Sequence, residues 1–294
     1  MTIIAGFSVS GQGGAPLNLA VQFGHTTGEN VIAAAVLETT PTVAADPIER
    51  EYLGYLNAQT MGSLEAVVAG IRTDVDIQPV VRQSTSIPQG LTELTAEHQA
   101  DLVVVGSSSS GLLGRIALGS VTERLVHTAA VTVAIAPRGY PATPLPLQRL
   151  TVAYGGAADT VQLIRTAAEL AARWRLQLRI ASFTVRPAVV FRGSIERSAE
   201  DLVTEQWSRR TEEAVRKQLT AARESIDIPQ VDLVIGAGTD WAGAVNDISW
   251  EPGDLLVLGS GAAGPRAQVF LGSAAGRILR HVPAPVMIVP RRND

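Results

Sequence analysis

The chain is one unit written twice, and this repeat limits the folds open to it more than any other feature. Gly106 and Gly259 stand 153 positions apart, as do Gly119 and Gly272, Ser120 and Ser273, and Pro137 and Pro290. Each copy runs apolar stretch, glycine-rich loop, helical pattern, β-branched stretch. In the first copy, Leu102–Val105 precede GSSSSGLLGRIALGS (106–120). A helical pattern over Val121–Thr128 and the run Val131–Ile135 follow. In the second, Leu255–Leu258 precede GSGAAGPRAQVFLGS (259–273), and Pro285–Val289 close the unit. Short apolar runs alternating with helical patterns predict parallel α/β sheets covered on both faces.

The remaining segments fit that plan. In the first unit, residues 2–7, 30–37 and 75–81 read as buried strands. Helical periodicity covers the stretch after Pro16, residues 47–72 with a break near Gly62, and Pro88–His98. Tyr52, Leu56, Leu64 and Val67 mark the inward face of the long helix. In the second unit, strands are expected at 150–154, 176–183, 231–235 and 254–258. Helices are expected at 160–174, 200–223 and 241–248, and residues 291–294 read as a frayed tail. The proline-rich stretch 137–146 lacks periodicity and behaves as an extended connection. The expected division is residues 1–138, a linker at 139–148, and residues 149–294.

With 294 residues, each half is large enough to bury a core of its own. The net charge of −4 and the scarcity of aromatics argue against a nucleic-acid or membrane surface. There is no cysteine, so disulfides, thiolate metal sites and cysteine nucleophiles are excluded. Met1–Ile4 lack the basic start of a secretory leader, and no apolar stretch approaches a membrane span. The expected location is cytoplasmic.

A glycine loop at the carboxyl end of a parallel strand, opening onto a helix, lies where open α/β sheets bind ligands. Helix N-termini carry unpaired N–H groups and partial positive charge, which suits phosphate. Gly106, Gly119 and Ser120 are the candidate contacts in the first loop, and Gly259, Gly272 and Ser273 in the second. Ser120 and Ser273 stand where they could cap a helix or donate to phosphate. The plainer alternative is that these glycines permit tight turns and these serines only cap. Arg115 and Arg266 lie inside the loops and read as solvated arginines.

Other chemistries fail on spelling. A Walker loop needs Gly-Lys-Ser/Thr, and the single lysine, Lys217, is far from either loop. The dinucleotide fingerprint breaks at Pro16 after Gly11 and Gly13, and at Trp241 after Gly236 and Gly238. A nucleophile elbow lacks its closing glycine at Ser110. The four histidines are scattered, and no metal or catalytic cluster is expected. His127 and His281 suit helix C-termini. Trp174, Trp207, Trp241 and Trp250 are placed on helices, packed against the sheet.

The segments GLLGRIALGSVTERLVHTAAVTVAIAP (111–137) and LGSAAGRILRHVPAPVMIVP (271–290) resemble the universal stress protein family. ADLVVVGS and GDLLVLGS, ending at Ser107 and Ser260, match the strand and turn before them. The resemblance covers both halves and implies a tandem two-domain member. It implies two doubly wound five-stranded parallel sheets of order 3-2-1-4-5, of the adenine nucleotide alpha-hydrolase-like class. It also implies pairing through the fifth strands, here an intramolecular pseudo-dimer, with a homodimer of chains open. Family members that bind ATP hold ribose and phosphates on this loop, with an aspartate after strand one. The resemblance adds Ser109 and Val121 to the candidate contacts of the first loop; Ser109 and Ala262 replace a motif glycine, and Ser8 and Gly155 stand at the aspartate position.

Two functions follow. The first is a stress-response regulator that binds ATP at the first glycine loop without fast turnover. The second is a family member that has lost nucleotide and acts as an interaction or scaffold protein. No enzymatic activity is expected.

Overall fold

A computed structural model describes residues 2–8, 14–40, 46–143, 145–155, 159–185, 230–259 and 272–290, with helical positions scattered between 206 and 223. In the first half, the strands are β1 (Ile3–Phe7), β2 (Val31–Glu38), β3 (Ile77–Ser84), β4 (Leu102–Gly106) and β5 (Thr132–Ala136). Its helices are α1 (Gly14–Thr27), α2 (Pro47–Ala69), α3 (Ile87–Glu97) and α4 (Ser120–Thr128). The second half contains β6 (Arg149–Tyr154), α5 (Asp159–Trp174), β7 (Gln177–Val185), β8 (Val231–Gly238) and α6 (Trp241–Asn246). It ends with β9 (Asp254–Gly259), α7 (Ser273–His281) and β10 (Val286–Val289).

The two halves share one sheet, ordered β3-β2-β1-β4-β5-β10-β9-β6-β7-β8. Each half therefore has the order 3-2-1-4-5. All pairings are parallel except the seam, where β5 and β10 run antiparallel with Ile135 opposite Val286 and Val133 opposite Ile288. Strand side chains alternate between two apolar layers, because successive Cβ atoms point to opposite faces. Leu102 and Val104 of β4 join Phe23 of α1 and Trp174 of α5 on one face. Val103 and Val105 join Leu91 of α3, Leu125 of α4 and Ile278 of α7 on the other.

The layers cross the seam. Phe23 is fully buried, and its ring meets Trp174 edge-on, with centroids 5.9 Å apart. The connection between the halves is pinned to α1. The Tyr140 hydroxyl donates to Gln22 Oε1 at 2.6 Å, Asn18 Nδ2 donates to the Tyr140 carbonyl, and Leu147 N–H donates to Thr26 Oγ1. Burial pushes the Tyr140 phenol up to about 12, against the opposing effect of the Gln22 hydrogen bond.

Several local expectations change. α2 runs unbroken through Gly62; an added Cβ there meets nothing, so this glycine marks no close contact. Asp46 starts that helix by accepting from Ile48 and Glu49 N–H. Its buried side chains are Leu53, Thr60 and Leu64, while Tyr52 is exposed. β3 begins at Ile77, two residues later than expected, and Val75 lies against Gly24. Trp250 sits beyond α6 in a loop, its indole N–H donating to the Val245 carbonyl. Val215 and Leu219 of the expected 200–223 helix are buried; Leu202, Trp207 and the 291–294 tail lie outside the described residues.

The second half also buries a polar cluster beneath β6, β7 and β9. Arg149 grips the Asp254 carboxylate through Nε and Nη2 at 2.7 and 2.8 Å. Arg179 reaches Asp254 Oδ2 at 3.3 Å, Thr151 Oγ1 at 3.0 Å and the Ser249 carbonyl at 2.7 Å, with its guanidinium over the Trp250 ring. The hydrogen bond to Asp254 holds the Arg149 guanidinium above its ordinary value, whereas burial pushes that of Arg179 down.

Candidate functional site

In each half the chain leaves the first strand toward one edge of the sheet and the fourth toward the other, so a crevice opens at their carboxyl ends. In the first half that crevice is a cleft of about 350 Å³. One wall is the stretch Gly106–Ser109 and another is Gly119–Thr122, so Gly106, Ser109, Gly119, Ser120 and Val121 all line it. Gly6 and Ser8 form its floor, Thr60 of α2 closes one side, and Val36, Leu37, Ile87 and Leu91 form an apolar end.

Backbone hydrogen bonds fix the loop between β4 and α4. Ser108 N–H donates to the Ala117 carbonyl at 2.7 Å, and Ser107 Oγ accepts from Ala117 N–H at 2.8 Å. The loop is also zipped to the residues after β5. Gly114 N–H donates to the Arg138 carbonyl, Arg138 N–H to the Arg115 carbonyl, and Arg138 Nη1 to the Gly111 carbonyl at 2.7 Å. Thr122 Oγ1 donates back to the Gly106 carbonyl at 3.0 Å. A cleft walled by a hydrogen-bonded loop needs little ordering before a ligand enters.

The glycines differ in what they accomplish. A Cβ on Gly106 would lie 3.2 Å from Pro16 Cγ, so this glycine lets α1 pack against the end of β4. A Cβ on Gly119 would meet only Ser108, at an ordinary 3.5 Å. Gly119 is the N-cap of α4 and Ser120 its first helical residue, with no side chain capping the helix. The capping role expected of Ser120 is therefore not seen, because its Oγ is one residue too late to reach the free N–H groups. Those N–H groups begin at the cleft wall. Ser109, exposed at the rim, does not plug the cleft. Arg115 is not among the lining residues.

The second half repeats the frame. Gly259 ends β9, where a Cβ would press on Leu163 Cδ2 at 3.2 Å, and Gly272 caps α7 with Ser273 as first helical residue, again without a side-chain cap. Ala262 and Arg266 fall within 260–271, outside the described residues. His127 and His281 lie in the last turns of α4 and α7.

Sequence reasoning did not find Pro16, Thr60, Ile87 or Leu91 as parts of the first cleft. They arrive from three helices distant in sequence, and no local pattern marks them. Among the described residues, no group of His, Cys, Asp and Glu side chains is placed to hold a metal ion. No described helix is long and apolar enough to cross a membrane.

Comparison with known proteins agrees with this geometry. The sequence model of the Universal stress protein family matches residues 1–137 and again 146–290. A universal stress protein of Mycobacterium tuberculosis is 30% identical over 294 residues, covering 99% of this chain and all of the relative. The crystal structure of a universal stress protein from Archaeoglobus fulgidus superposes with a TM-score of 0.58 at 16% identity, over 99% of this chain and 98% of that one. A universal stress protein solved in complex with cAMP matches 47% of this chain and 98% of its own length, at 23% identity and a TM-score of 0.35. Two family matches in one chain, each resting on a sheet of order 3-2-1-4-5, make this protein a tandem two-domain member of the universal stress protein family.

Proposed function

We propose that this protein is a stress-response regulator whose first half binds an adenine nucleotide without rapid turnover. ATP is the ligand the family resemblance names. One observation carries the reading: the open cleft at the carboxyl ends of β1 and β4 collects all five candidate contacts of the first loop and the uncapped start of α4. The apolar end at Val36, Leu37 and Leu91 suits a flat base, and the hydroxyls of Ser108, Ser109 and Ser120 suit ribose and phosphate oxygens. No carboxylate or imidazole is among the described lining residues, so the cleft offers a bound phosphate no general base. That supports binding rather than hydrolysis.

The test is a melting curve with added adenine nucleotide. A ligand at 100 times its dissociation constant adds about 2.7 kcal/mol to stability, enough for a shift of several degrees. Gly119→Val should abolish the shift while leaving the circular dichroism of the free protein unchanged, because its branched side chain grows into the cleft. No shift at millimolar concentrations of adenosine, AMP or ATP would overturn the reading.

The second reading, an interaction or scaffold protein, is favoured by the tip of the same loop. Leu112 and Leu113 are 77% and 78% exposed. Adjacent leucines left in water on this loop suit contact with another protein.

A further inference from the structure

The cleft in the first half is unusual in its electrostatics. None of its described lining residues carries a charge: its polar groups are hydroxyls and backbone, and the rest is apolar. Arg138, close by in sequence to β5, turns its Nη1 to the Gly111 carbonyl. The one charge in the first turn of α4 is negative, Glu123. The start of that helix supplies about half a positive charge, and Glu123 already draws on it.

We infer that the cleft is built for a lightly charged ligand: an adenine nucleoside bearing at most one phosphate, in preference to ATP. The inference rests on the nucleotide reading above and narrows it. Moving phosphate oxygens out of water is costly unless cations or donors replace the solvent. A single phosphate can be met by the α4 N–H groups and the hydroxyls of Ser109 and Ser120. A triphosphate brings several more charges, and no lysine or arginine lines the cleft to meet them. Nor do the described lining residues include a carboxylate to help hold the magnesium that travels with ATP.

Titration calorimetry of the full chain with adenosine, AMP and ATP, the last with and without magnesium, tests this at about 0.15 M salt, where exposed long-range charge effects are screened. AMP or adenosine should bind at least about tenfold more tightly than either form of ATP. Equal or tighter binding of ATP would overturn this inference and leave the nucleotide reading standing. Binding of none of the three would overturn both. A cation placed at the exposed rim provides an independent check. Ser109→Arg should raise the affinity for ATP relative to that for adenosine by about tenfold. An ATP affinity indifferent to that arginine would show that missing cations do not set the preference.

Discussion

Gly106 and Gly119 look alike in the sequence, both set in a glycine-rich loop and both repeated 153 positions later, yet the structure gives them different work. Gly106 is placed by packing: a Cβ there would press on the rigid ring of Pro16, 3.2 Å away. Gly119 has ordinary space around it and a negative φ of −90°, so neither sterics nor backbone conformation demands glycine there. Gly106→Ala should therefore destabilise the protein by about 1–3 kcal/mol, as overpacking does, while Gly119→Ala should stay within about 0.5 kcal/mol. Urea unfolding of the two variants checks this; equal losses would mean the loop is packed differently. The glycine spacing thus revealed the loop and its place at the end of a strand. It could not separate a glycine that serves α1 from one that leaves the cleft open, because Pro16 is ninety residues away in sequence. The serines illustrate the same limit. Ser120 and Ser273 read as caps, but a shift of one residue makes Gly119 and Gly272 the caps instead.

At the scale of elements, most of the fold was legible because buried parallel strands are short apolar runs that helices cannot imitate for long. The polar cluster of the second half was not. Arg179 sits inside a run that reads as a buried strand, and only the neighbouring strands explain it. The repeat makes the point testable. Asp101 and Asp254 occupy corresponding positions before the fourth strand of each half. Asp101 is exposed, whereas Asp254 is 2% exposed and accepts from Arg149, Arg179 and the Glu251 N–H. Removing Asp254 leaves Arg179, itself 2% exposed, without its counter-charge. Asp254→Ala should cost about 3–5 kcal/mol, and Asp101→Ala no more than about 0.5 kcal/mol. Chemical denaturation reads both. A mild effect at Asp254 would mean that water reaches the arginines and the cluster contributes little. A replacement of the cluster by apolar side chains, matching Ile4 and Ile32 of the first half, is the corresponding route to keeping stability without charge.

At the scale of the whole molecule, the family resemblance implied two five-stranded sheets paired through their fifth strands, and the structure joins them there into one ten-stranded sheet. The joining step is the antiparallel seam between β5 and β10, which turns two open edges into the middle of a ten-stranded sheet. Both apolar layers continue across it: Val133 and Ile135 share a layer with Val286 and Ile288, and Phe23 reaches Trp174 on the opposite face. A first half on its own would expose the hydrogen-bonding groups of β5 and the apolar side chains flanking it, which is a template for pairing. Its own β5 is the nearest equivalent of β10, since the two strands occupy corresponding places in the repeat. A second copy rotated by a two-fold axis can therefore supply the missing antiparallel neighbour, as isologous interfaces require. Residues 1–138 expressed alone should elute as a dimer at micromolar concentration, measured by light scattering after size exclusion. Replacing Ala134, which lies opposite Met287 at the centre of the seam, by Lys should drive that dimer to monomer. A folded, monomeric first half would mean that the seam contributes too little to govern how the halves assemble, and that α1 and the connection pinned to it hold the molecule together instead.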